Sequence, residues 1–118
     1  MPRIEMALWH PRMSLNSIIQ EVDLPLRIGW SAGDVDAKSG RVRDRTYARF
    51  PLEKSYASPK LDLLQIIGNF SGLLTSITFS HEGRAILYVN NNETDGELLI
   101  DRTAMSLLSR LGVELALR

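Results

Sequence analysis

Leu98–Arg118, L-L-I-D-R-T-A-M-S-L-L-S-R-L-G-V-E-L-A-L-R, is the stretch whose reading decides the fold. Ala104, Leu107, Leu108 and Leu111 recur at i, i+3, i+4 and i+7, the spacing that places side chains on one helix face. Asp101 stands where a carboxylate can cap the first turn and favour the positive end of the helix dipole. Gly112 supplies the left-handed residue that ends a helix. Val113, Leu115 and Leu117 then alternate with Glu114, Ala116 and Arg118, the period of a half-buried strand. A helix that turns straight back into a strand belongs on one face of a sheet.

Working outward, Ile4–Trp9 alternates as a strand, and His10-Pro11 breaks it. Ser14–Val22 follows as a helix, with Leu15, Ile18, Ile19 and Val22 on one face, ended by Leu24-Pro25. Leu26, Ile28 and Trp30 alternate as a second strand. The polar segment Val35–Arg45 reads as an exposed loop or the far part of a hairpin, with Ser39-Gly40 at its tip. Thr46–Leu52 is a third strand, which Pro51 assigns to a sheet edge because proline cannot donate to a ladder. Ser58-Pro59 opens a helix whose face is Leu63, Ile66, Ile67 and Phe70; Gly68 and Gly72 weaken it, so Leu73–Phe79 is either its continuation or an extended segment. Ala85–Val89 is an apolar run suited to a central strand. The whole reads as an α+β two-layer sandwich: a mixed or antiparallel sheet of about five strands with helices packed on one face.

The 118 residues fit one domain. Hydrophobic residues make up 44% and charged residues 24%, and there is no repeat or low-complexity run. A chain of this composition can bury a core of its own. No apolar run approaches the roughly 18 residues a membrane span needs, and the first residues lack the apolar centre of a signal peptide. The expectation is a cytoplasmic protein without membrane contact. The chain has no cysteine, so it can form no disulfide and offers no thiolate nucleophile or thiolate metal ligand.

The helix Leu15–Val22 (L-N-S-I-I-Q-E-V), the run Leu24–Asp34 (L-P-L-R-I-G-W-S-A-G-D), the basic stretch containing Ser39-Gly40-Arg41 and the ending Leu107–Leu117 together resemble the bacterial domain of unknown function 4279 family. The likeness runs loosely over Ile4–Leu117, and its most specific part is Trp30-x-x-Gly33-Asp34. The family's second tryptophan after the basic stretch is absent here, with Tyr47 or Phe50 in its place. The resemblance implies a small α+β bacterial domain without known catalytic residues. In size and architecture the chain is also similar to the immunity proteins that neutralise toxins in contact-dependent growth inhibition.

Formal net charge is zero, yet the charges are segregated. Lys38, Arg41, Arg43, Arg45 and Arg49 crowd one segment; Glu93, Asp95, Glu97 and Asp101 crowd another. A nuclease active site is basic because its substrate is a polyanion, so acids can mimic that substrate and speed association. The expected partner is therefore a cognate protein toxin domain, expected to be a nuclease, whose active site the chain would cover without doing chemistry. Asp34, Asp36, Glu93, Asp95 and Glu97 are the candidate partner-binding residues, against the plainer reading of loop acids that keep the chain soluble.

Two alternatives remain. His81 and Glu82, with Arg84 and His10 available, could serve a small ribonuclease, since histidine titrates near neutrality. The Lys38–Arg49 segment could bind nucleic-acid phosphates with Tyr47 stacking on a base, although a pI near 6.7 argues against it. Asp34-x-Asp36 begins like a calcium loop, but Lys38 replaces the third acid and Gly40 falls one place late. Phosphate-cradling glycine motifs are absent. No cofactor, metal or small-molecule ligand is indicated. Trp9 and Trp30 are candidate interface anchors, a core-edge position being the commoner fate of a tryptophan that ends a strand.

Overall fold

A computed structural model, which describes residues 3–22, 24–52, 60–62, 67–79, 82–90, 97–99 and 102–117, shows the C-terminal helix, glycine stop and strand. The strands are β1 Arg3–His10, β2 Ile28–Trp30, β3 Thr46–Pro51, β4 Lys60–Asp62, β5 Arg84–Asn90, β6 Glu97–Leu99 and β7 Val113–Leu117. The helices are α1 Leu15–Val22, α2 Ser71–Thr78 and α3 Arg102–Leu111, with a further helical turn over 67–69. Gly112 takes φ +70° between α3 and β7, the left-handed conformation a side chain would resist.

The main sheet has five strands in the order β2-β3-β1-β5-β7. Its first three pairings are antiparallel, while β5 and β7 run parallel. Parallel neighbours need a crossover, and α3 lies within this one. The sheet is therefore mixed, and the fold is α+β.

The helices cover one face. The core draws Ile4, Met6 and Leu8 from β1, Ala48 and Phe50 from β3, Leu87 and Val89 from β5, and Val113 from β7. Against these pack Ile18 and Val22 of α1, Leu73, Leu74 and Ile77 of α2, and Leu108 of α3. Each large side chain so buried contributes roughly 1.5–3 kcal/mol. Ser14 caps α1, accepting the Ser17 N–H on its hydroxyl at 3.2 Å. Leu73–Thr78 is helical, which settles the alternatives left for that segment.

Three details differ from expectation. Pro51 belongs to an interior strand: β3 lies between β2 and β1. Proline is tolerated because β2 reaches only Tyr47–Arg49, so nothing pairs with residue 51 on that side, while on the other the Leu52 N–H donates to the Ile4 carbonyl at 2.8 Å. Lys60–Asp62, assigned to a helix, is instead a strand pairing in parallel with Glu97–Leu99 in a small second sheet. Leu26 does not share a face with Ile28 and Trp30. It packs on the core, whereas Ile28 stands opposite Arg49 and Trp30 opposite Tyr47 on the far side of the sheet. Gly29 takes the inward position, where a Cβ would lie 3.0 Å from Leu15 Cδ1 and 3.1 Å from Leu26 Cδ2. Among the described residues, no helix is long and apolar enough to cross a membrane.

Candidate functional site

Strand alternation sends every second side chain to the face the helices leave open. The registers arrange these residues in rows. Trp30, Tyr47, Trp9 and Arg84 stand side by side across β2, β3, β1 and β5. Beneath them run Ile28, Arg49, Ala7, Ile86 and Glu114, and then Pro51, Glu5, Tyr88 and Ala116.

The top row is a continuous aromatic strip. Trp30 and Tyr47 have ring centroids 4.9 Å apart at 39°, and Tyr47 and Trp9 lie 5.0 Å apart at 41°. Such tilted pairs add about 0.5–1.5 kcal/mol each beyond the area they bury. Arginines close over the rings. The guanidinium carbon of Arg43 lies 3.8 Å above Trp30, that of Arg84 5.7 Å from Trp9, and that of Arg49 4.7 Å from Tyr88.

Carboxylates then pair with these arginines. Glu5 accepts from both Arg27 and Arg49. Glu114 takes Arg84 through two nitrogens, which holds its carboxyl below the usual carboxylate range. Arg43 lies 3.4 Å from Asp36. The exposed Arg84–Glu114 pair contributes little stability, while Glu5 and Arg49 are the more buried of these partners. The effect of the pairs is to hold guanidinium planes in fixed orientations over fixed rings.

The polar segment after β2 is an antiparallel arm. Val35 bridges Val42, Gly33 donates to the Arg43 carbonyl at 2.8 Å, and Gly40 (φ +70°) closes the tip. Here lie the two expected acids that the structure describes. Asp34 accepts the Ser31 N–H at 2.9 Å. Asp36 accepts the Lys38 N–H at 3.1 Å and the Ser39 hydroxyl at 2.9 Å, and these bonds lower its pKa. Both carboxylates thus close turns within the arm. Glu93 and Asp95 lie outside the described residues, and Glu97 is placed only as backbone in β6. Of the five acids, Asp34 and Asp36 are thus the two whose side chains the structure describes, and both belong to the arm.

The β1–β5 pairing brings His10 to Glu82, Nε2 to Oε2 at 3.7 Å. His10 Nδ1 accepts the backbone N–H groups of Arg12 and Met13 at 3.0 and 2.9 Å, and Arg12 pairs with Glu82. With Nδ1 occupied as an acceptor, the ring proton sits on Nε2, facing Glu82. Both ring nitrogens thus face partners within the protein. His81 lies outside the described residues. Among the described residues, no three acids or histidines gather where they could hold a metal ion.

Burial is the largest influence on His10 and lowers its pKa below the ordinary 6.5; Glu82 opposes this and Arg12 reinforces it. The unfolded chain therefore takes up this proton more readily than the folded one. The His10 contribution is complete above pH 6.5 and fades as pH falls through the lower folded value. Urea unfolding at pH 7.5 and 5.5 should show that loss. His10→Asn, whose Oδ1 can accept the same two N–H groups without titrating, should flatten the profile by up to about 1.4 kcal/mol per pH unit. An unchanged slope in that variant would refute the assignment.

Beyond Arg84 the aromatic strip runs into a groove of about 610 Å³, lined in part by Arg45, Thr78, Glu82, Arg84, Arg110 and Glu114. The sequence held a signal for the strip: Trp9 shares the phase of Glu5, and Tyr47 that of Arg49. No such signal existed for Arg43, which reaches Trp30 only because the arm folds back. Compared with family models, curated proteins and solved structures, the chain matches none, so the use of this face has to be argued from its own residues.

Proposed function

We propose that the protein is a non-catalytic binding protein of the immunity type, which docks a protein partner on the open face of its sheet and inhibits it by occlusion. The observation carrying this reading is the Trp30–Tyr47–Trp9 strip with Arg43 and Arg84 fixed over its ends. Tryptophan, tyrosine and arginine are the residues that dominate protein-binding energies. Here they are held in place before binding, so little side-chain entropy remains to be lost.

Charge favours a protein over a nucleic acid. Arg43 and Arg49, taken from the basic segment, each face a carboxylate and lie over an aromatic ring. A base stacking on Trp30 would first have to displace Arg43. The face is close to neutral, apolar along the half-exposed Trp30–Tyr47–Trp9 strip and at exposed Ile28, and suits a protein surface that combines apolar and polar contacts. Mimicry of nucleic acid by Asp34 and Asp36 draws no support from the arm, where both carboxylates serve its turns.

The test is capture from the native cell by the immobilised chain and by three variants. One protein should be retained by the parent and by Met105→Ala, an exposed change on α3. Trp30→Ala and Arg43→Ala should each retain it at least tenfold less, a loss of about 1.4 kcal/mol. The captured protein should lose its activity, nuclease cleavage if it is a toxin, when the chain is added. Equal retention by all four proteins overturns the docking face. Undiminished activity of the partner overturns the inhibitory role. Tight, salt-sensitive binding of single-stranded RNA on the same face hands it to nucleic acid.

A further inference from the structure

The groove at the end of the aromatic strip holds more positive charge than its own acids neutralise. Arg45, Arg84 and Arg110 line it, together with Glu82 and Glu114. Glu114 is taken up by Arg84, and Glu82 by Arg12 from outside the groove. Arg45 has only Asp44, at 4.0 Å, and Arg110 has no ion pair among the described residues. Arg45 and Arg110 therefore line a cavity whose two acids, Glu82 and Glu114, are already paired with other arginines.

The cavity, about 610 Å³, is too large for a single small ion and is open along one side. Arg84 belongs both to the groove and to the strip, since it lies over Trp9 while bound to Glu114. A partner lying across the strip meets the groove without a gap.

We infer that this groove receives the carboxylates of an acidic segment of a protein partner, with Arg45 and Arg110 as the receiving groups and Arg84 as the fixed wall between groove and strip. This extends the docking-face reading and rests on it for the identity of the partner. Guanidinium planes present paired N–H donors that match a carboxylate, so two neighbouring Asp or Glu side chains would satisfy both arginines. The site would contribute attraction at long range and register at close range.

Hexaglutamate is the probe, titrated into the intact protein at low salt and followed by amide NMR. Shifts are expected at Gly83 and Gly112, which line the groove, and should shrink as salt is raised. The double variant Arg45→Glu/Arg110→Glu should keep its dispersed spectrum, because both side chains lie at the surface, and should bind the peptide at least tenfold more weakly. Trp30→Ala should leave hexaglutamate binding unchanged, so failure of the strip and failure of the groove are separate results. The inference is overturned if no shifts occur at millimolar peptide, if they fall on the arm instead, or if charge reversal does not weaken them. It is also overturned if inorganic pyrophosphate binds through Arg45 and Arg110 while hexaglutamate does not, because the ligand would then be a phosphate compound.

Discussion

Gly83→Ala is expected to cost about 3 kcal/mol or more of folding stability, since a Cβ there meets the closest contacts of any described glycine. The reason is space. A Cβ at residue 83 would lie 2.3 Å from the Ile77 carbonyl oxygen, 2.6 Å from the Trp9 carbonyl oxygen and 3.0 Å from His10 Cδ2. The first two are backbone atoms, and neither can turn aside as a side chain would. Relief requires the end of α2 to move off β1, or β5 to slip at its start. Either movement disturbs His10, Trp9 and the wall of the arginine groove. Denaturant unfolding measures the cost directly. A variant within 1 kcal/mol of the parent would mean that α2, β1 and β5 do not converge as described.

Thr46→Val should be the second most damaging change, at about 2–4 kcal/mol, although it replaces one atom and keeps the shape. Thr46 is fully buried. Its hydroxyl accepts the Ala32 N–H at 2.9 Å and donates to the Met13 carbonyl. One oxygen thus ties the root of the arm and the turn before α1 to the edge of β3. Valine would leave a backbone donor and a backbone acceptor without partners, at about 1–3 kcal/mol each. Thr46→Ser keeps both bonds and loses only a methyl group, so it should lose about 1 kcal/mol. If serine proves as costly as valine, packing and not hydrogen bonding holds this junction. Because Ala32 begins the arm that carries Arg43, the valine variant should also weaken partner binding beyond its effect on stability.

The elements that could be read from the chain are those with enough residues to show a period. Leu107, Leu108 and Leu111 announced α3, and its stop at Gly112 was legible because few residues accept a positive φ. The helical face of Leu15–Val22 was legible for the same reason. Lys60–Asp62 and Glu97–Leu99 are three residues each with no alternating neighbour to extend them, as Leu26 extended Ile28–Trp30, so β4 and β6 left no legible period and Lys60–Asp62 fell within the helix read from Ser58. Pro51 misled because the edge rule concerns one hydrogen bond, not a whole strand: β2 stops short of residue 51, and β3 is interior all the same. The meeting of His10 with Glu82 is a product of strand register between residues 72 positions apart, and local pattern carries no trace of it. The candidate acids were chosen by charge density, yet at Asp34 and Asp36 the decisive property is hydrogen bonding to nearby N–H and hydroxyl groups.

The sheet divides its labour by strand phase. Every strand member of the core cluster lies on the helix-covered side, and among the described strand residues Ala7 and Ile86 are the buried apolar ones on the other. Recognition and folding are thereby encoded in alternate letters of the same strands. Lineages could exchange Trp30, Tyr47 or Arg49 for other side chains and acquire new specificities while the scaffold survives. A combinatorial library varied at those letters alone would explore binding without sampling collapse.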